Sequence, residues 1–167
     1  RAVRTGVTAA RGAIVVTLDG DGQNPPADAP GLVDLLASSP SSVALVGGRR
    51  AKRQDSRAKR QASLWANRIR RRLLDDDADD TGCGLKAFRR DAFLALPYFN
   101  HMHRYLPALF ARDGWDIRFI DVTHRARGAG RSNYSNIQRA LVGSVDLFGV
   151  MWLLRRRKTA RVIKSTL

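Results

Sequence analysis

Asp19 and Asp21 stand two positions apart in the run Thr17-Leu18-Asp19-Gly20-Asp21-Gly22-Gln23-Asn24-Pro25-Pro26. Two carboxylates at that spacing, joined by a flexible glycine, can converge on one hard divalent cation, magnesium or manganese, of the kind that carries a substrate's phosphates. The same pair suits an acidic surface turn, and the D-x-D spacing alone does not separate the two. The preceding residues say where the loop sits. Ile14-Val15-Val16-Thr17-Leu18 is an unbroken run of strand-favouring residues that stops at Gly, Asn and Pro. In an open α/β sheet, ligands gather at the carboxyl ends of strands, where this loop falls.

Asp80 is a second candidate. It closes the acidic run Asp75-Asp76-Asp77-Ala78-Asp79-Asp80, whose bland reading is a solvated helix end. A calcium loop of the EF-hand type requires a carboxylate at its twelfth position, and counting from Asp75 places Lys86 there, so that reading fails. Asp80 precedes the tight, small-residue turn Thr81-Gly82-Cys83-Gly84, where a carboxylate can orient or deprotonate an incoming nucleophile. A third constellation is His124-Arg125-Ala126-Arg127-Gly128-Ala129-Gly130-Arg131-Ser132-Asn133-Tyr134. Guanidinium forks suit phosphate oxygens and glycines let the backbone approach them, although a solvated basic loop has the same composition. His101 and His103 flank Met102 beside Arg104 and, without another convergent ligand, read as structural or surface histidines. Cys83, with no paired histidine motif nearby, reads as a small buried residue.

The elements that must position these groups follow from the rest of the chain. At 167 residues and 44% apolar content, one folded domain is expected. After the Asp loop, Asp28 is placed to cap a helix with Pro30 in its first turn and Leu32, Val33, Leu35 and Leu36 on its buried face. Ser38 to Ser42 ends that helix, and Val43-Ala44-Leu45-Val46 forms a second strand closed by Gly47-Gly48, a spacing that suggests a parallel crossover. Short helices are predicted over 90–96 and about 101–113, and a half-exposed strand over 117–122. Ile137, Leu141, Val145, Phe148 and Trp152 mark one face of a last helix that runs into Arg155-Arg156-Arg157-Lys158.

Thirty basic against fifteen acidic residues give a net charge of +15, which calls for a polyanionic partner. Residues 49–72 alone carry eleven Lys or Arg and one acid, Asp55. Zinc-finger spacing and an RNA-recognition aromatic motif are absent, so no nucleic-acid partner is expected. An anionic membrane surface accounts for the same charge, and the last helix matches an interfacial segment better than a spanning one. A single cysteine excludes disulfides within the chain and fits a reducing compartment. Arg1 to Ala10 reads as part of a helix, so a strand-helix unit is expected ahead of it.

Taken in order, these segments resemble the polyprenyl-phosphate glycosyltransferases of glycosyltransferase family 2, which include the dolichol-phosphate mannosyltransferases. The resemblance rests on Arg4-Thr5-Gly6 through Ala10-Arg11-Gly12, on Thr17 through Pro26, on Val46-Gly47-Gly48-Arg49, on Asp80-Thr81-Gly82-Cys83-Gly84-Leu85-Lys86, and on His124 through Tyr134. It implies an α/β fold of the GT-A, Rossmann-like type, here lacking the first strand-helix unit and its nucleotide-base motif. A chain that truly began at Arg1 would therefore bind nucleotide weakly. It implies inverting transfer of a sugar from a UDP- or GDP-sugar donor to a polyprenyl phosphate, undecaprenyl or dolichyl. By position, Asp19 would contact the donor, and Asp21 and Gln23 would hold the divalent metal (Mg or Mn). Arg49, Arg127 and Arg131 would bind phosphates, Ser132 and Tyr134 would support the acceptor loop, and Asp80 and Arg127 would be the catalytic pair. The implied organisation is a partial catalytic domain over 1–123, a basic acceptor loop over 124–136 and a basic interfacial segment over 137–167, peripheral on the cytoplasmic face of the membrane. A glycan-directed relative of the same family, and a non-catalytic binding module for nucleic acid or anionic lipid, are the alternatives.

Overall fold

The computed structural model of the chain describes residues 2–50, 72–74, 82–123, 125 and 136–156. Helix α1 (Ala2–Ala9) precedes strand β1 (Ile14–Thr17); α2 (Ala29–Ser38) leads to β2 (Val43–Arg50). Strand β3 (Lys86–Arg89) turns directly into α3 (Arg90–Ala95), followed by α4 (Leu106–Arg112), β4 (Asp116–Val122) and α5 (Asn136–Arg155). Short 3-10 turns, Pro26–Asp28 and Met102–Arg104, precede α2 and α4.

The four strands form one mixed sheet in the order β1-β3-β2-β4. β3 runs antiparallel to both β1 and β2, whereas β2 and β4 are parallel. Strands β1 and β2 therefore point the same way, as a crossover requires, but β3 lies between them and they share no hydrogen bonds. The parallel crossover expected from spacing is thus present, with β3 interposed between its two strands. A late segment has inserted between two early strands, a long-range event that local periodicity does not encode. Among the described residues β1 is an edge strand, so its four residues are half-buried rather than fully buried.

Alternate side chains of the sheet feed two cores. On one face Leu32 and Leu36 of α2 meet Val43, Val46, Leu85, Ala87 and Val122. On the other, Phe88 stacks on Phe93 of α3 with ring centroids 4.7 Å apart and meets Phe110 of α4 at 6.3 Å. Leu45, Leu106, Leu109 and Val150 complete that second core. Sheet and helices thus form layers with the strand ends left open at one edge.

Three local expectations change. Strand β2 does not stop at Gly47-Gly48 but runs on to Arg50. A Cβ at Gly47 would stand 2.8 Å from the Phe119 ring, and one at Gly48 would stand 2.9 Å from Val122, so these glycines permit close strand packing instead of ending it. Asp28 occupies the N-cap position of α2 without capping it through its side chain; its Oδ2 accepts instead from the Thr123 backbone N–H at 2.7 Å. The helix expected over 101–113 begins only at Leu106, because His101 adopts a left-handed conformation (φ 64°) that interrupts it.

Candidate active site

The loop after β1 emerges at an open end of the sheet. Within it, the Gln23 N–H donates to Asp21 Oδ1 at 3.1 Å, a tight turn that Gly22 permits with φ 74°. Gln23 is held from the other side as well, since its carbonyl accepts from the Arg125 N–H at 2.9 Å. With the Asp28–Thr123 bond, this ties the Asp loop to the point where the chain leaves β4 for the basic loop. Asn24, buried behind the turn, accepts weakly from the Cys83 thiol at 3.9 Å. Cys83 itself is 1% exposed, a buried small residue as its sequence context suggested.

Asp19 and Asp21 diverge in environment. Asp19 faces the Gly82-Cys83-Gly84 turn, and a Cβ on Gly84 would overlap its carboxylate. The two segments, far apart in sequence, meet only because β3 pairs with β1, with Thr17 opposite Lys86. The Thr17 hydroxyl reinforces the junction by donating to the Gly84 carbonyl at 3.1 Å. Between them opens a cavity of about 310 Å³ lined by Asp19, Gly82, Cys83, Gly84, Lys86, His103 and Arg104.

The last three residues were not among the site residues expected from the sequence. Lys86 is 5% exposed and donates from Nζ to the Cys83 carbonyl. Its signal in the sequence was a cation within the apolar run Leu85-Lys86-Ala87-Phe88. His103 opens on the cavity, with its pKa held below the ordinary 6.5 mainly by burial and then by the cations Arg104 and Lys86 and by His101, with Asp19 opposing. His103 is an exposed residue, in keeping with the surface reading, and it also lines the cavity.

Arg49, at the end of β2, bonds through Nε to Asp121 Oδ1 of β4 at 2.6 Å, its register partner on the neighbouring strand. It lies beside the other strand ends but within a cross-strand ion pair, half-exposed on both sides. Asp80, Arg127, Arg131, Ser132 and Tyr134 lie outside the described residues.

Asp21 and Gln23 offer oxygen donors on a fixed turn, the ligand type of magnesium or manganese. Among the described residues no group of three His, Cys, Asp or Glu forms a closed metal cage.

An α/β sheet with an acidic loop at its strand ends and a polar cavity beside it is the plan of a GT-A glycosyltransferase, and comparison with solved structures agrees. Glucosyl-3-phosphoglycerate synthase from Mycobacterium tuberculosis, in complex with manganese, UDP and phosphoglyceric acid, superposes with a TM-score of 0.65 at 20% identity, covering 95% of this chain and 54% of that one. The model of glycosyl transferase family 2 matches residues 1–96, and the chain belongs to that family. Dodecaprenyl-phosphate galacturonate synthase of Rhizobium johnstonii is 34% identical over 157 residues, 92% of this chain and 46% of the relative. Undecaprenyl-phosphate 4-deoxy-4-formamido-L-arabinose transferase of Pectobacterium carotovorum is 38% identical over 137 residues, 80% of this chain and 40% of the relative. The chain thus spans less than half the length of these curated relatives, whose names are those of polyprenyl-phosphate sugar transferases.

Proposed function

We propose that the protein transfers a sugar, with inversion, from a UDP- or GDP-sugar to a polyprenyl phosphate at the cytoplasmic face of the membrane. The observation that carries this is the meeting of Asp19 with the Gly82–Gly84 turn around a cavity, next to a turn of Asp21 and Gln23 able to hold a cation. The relatives' names support the acceptor class.

In this reading Asp19 orients the donor sugar, and Asp21 with Gln23 holds magnesium or manganese. When bound, the cation neutralises charge that gathers on the departing nucleotide diphosphate. Arg49, Arg127 and Arg131 hold phosphates, with Ser132 and Tyr134 supporting the acceptor. The acceptor oxygen is already ionised near neutral pH, so Asp80 orients it more than it removes a proton. Holding two anions together for in-line attack at the anomeric carbon is the main contribution asked of these arginines. Residues 1–123 supply the catalytic part, 124–136 the acceptor loop and 137–167 the membrane contact.

Support for that contact comes from α5. Val145, Phe148 and Trp152, three of the apolar stripe read from the sequence, are 73%, 59% and 57% exposed, while Val150 on the other side is buried in the core. The Arg156 guanidinium lies over the Trp152 ring at 5.2 Å, joining a cation to the apolar stripe. No helix among the described residues is long and apolar enough to cross a membrane.

The test is transfer to undecaprenyl phosphate from a panel of UDP- and GDP-sugars with manganese, using the full-length protein. Asp21→Ala should lower turnover by roughly 100-fold or more. Turnover unchanged in the variant, or transfer only to a glycan, would overturn the assignment.

A further inference from the structure

Among its described lining residues, the cavity beside Asp19 carries three basic side chains. Among the described residues that line it, Lys86 comes from β3 and His103 and Arg104 from the turn before α4, with Asp19 as the carboxylate beside them. Asp21 and Gln23, the pair suited to a cation on the donor's diphosphate, do not line it.

The basic wall is also built rather than incidental. Lys86 is 5% exposed, and its ammonium is held in place by donating to the Cys83 carbonyl. The turn Met102–Arg104 begins at His101, whose left-handed backbone (φ 64°) is uncommon for a residue with a side chain and persists only where its surroundings hold it. Two bonds from α5 do so: His101 Nδ1 lies 3.1 Å from Asp146 Oδ2, and the Tyr105 hydroxyl donates to the Gly143 carbonyl at 3.0 Å. Met102, between them, is 5% exposed. The backbone segment carrying His103 and Arg104 is thus fastened on both sides, at His101 and at Tyr105.

We propose that this cavity is an oxyanion subsite, in which Arg104, Lys86 and His103 bind a carboxylate or phosphate group of a substrate. Two sources present that chemistry at this place: the carboxylate of an acidic sugar carried by the donor, and the phosphate of the acceptor. Arg104 supplies a planar fork that matches either group, Lys86 a fixed buried charge, and His103 a further donor. Asp19 stands opposite and leaves the sugar hydroxyls as its partners. The inference rests on the donor-side placement of Asp19 and adds what kind of group its neighbours select.

Binding to the full-length protein, read without any transfer step, tests it. Sodium phosphate, sodium galacturonate and neutral galactose are titrated at constant ionic strength, with the His103 imidazole signals followed by NMR and assigned through His103→Gln. At least one of the two oxyanions should saturate, galactose should bind far more weakly than galacturonate, and Arg104→Gln should weaken the effective oxyanion roughly tenfold or more. Arg104 is exposed, so the variant should fold, and its thermal unfolding checks this. Saturation by galacturonate alone assigns the site to an acidic donor sugar; saturation by phosphate alone assigns it to the acceptor; saturation by both supports the subsite with either. If neither oxyanion saturates, if galactose equals galacturonate, or if a folded Arg104→Gln protein binds unchanged, the subsite is overturned. Loss of sugar transfer with oxyanion binding intact would remove the glycosyl-transfer assignment alone.

Discussion

The carboxylate of Asp19 occupies space that any side chain at position 84 would need. Gly84 is therefore as much a part of the site as the aspartate, although it bears no reactive group. Gly84→Ala should displace Asp19 and lower turnover by about tenfold or more, equivalent to roughly 1.4 kcal/mol of transition-state stabilisation. Steady-state transfer rates beside an unchanged far-UV spectrum would check it; a fully active variant would show that Asp19 tolerates displacement. His103 makes a separate prediction at this scale. Its folded pKa lies below the unfolded value of 6.5, through burial and the neighbouring Arg104, Lys86 and His101. As pH falls the unfolded chain takes up this proton first, so stability present above about pH 6.5 is lost below it. Urea unfolding at about pH 7.5 and about pH 5.5 should show a larger loss for the native protein than for His103→Gln; equal losses would exclude the effect.

At the scale of elements, α5 serves two surfaces. Its inward residues Leu147, Val150, Met151 and Leu154 pack on the helical core, and Val145, Phe148 and Trp152 face outward. Through Asp146 and Gly143 it also fixes the turn that carries His103 and Arg104. Removing the Tyr105 hydroxyl should loosen that turn without opening a cavity, because the ring still packs near Phe99, 6.4 Å between centroids. Tyr105→Phe should cost about 1 kcal/mol in urea denaturation, the usual worth of one hydrogen bond. No change in the midpoint would mean the bond contributes nothing net. The outward stripe was legible from periodicity because residues spaced by three and four share a helix face. The inward set was not, since α5 is apolar on both sides and periodicity cannot say which side meets the core.

Across the whole molecule, the net charge of +15 and the exposed stripe of α5 act together. Binding to anionic vesicles should weaken as salt is raised from about 0.1 M to about 1 M, because screening shortens to roughly 3 Å. Phe148→Ser with Trp152→Ser should weaken it further while leaving thermal unfolding nearly unchanged, as both side chains are largely exposed. Co-sedimentation measures this, and salt-independent binding unaffected by the double variant would refute a peripheral membrane contact. The sequence by itself determined the strand-then-aspartate loop, the helix behind it and the family, because these rest on local propensity, turn chemistry and a run of motifs in order. It could not decide that β3 slots between β1 and β2, since that pairing joins residues distant in the chain and leaves no local trace. From that one topological fact follow the contact of Asp19 with Gly84 and the entry of Lys86 into the cavity. His103 and Arg104 reach the same cavity from a turn whose flanking residues, His101 and Tyr105, are bonded to α5. Only the tertiary structure makes three ordinary basic residues the wall of a site, since proximity across elements is set by packing and not by spacing.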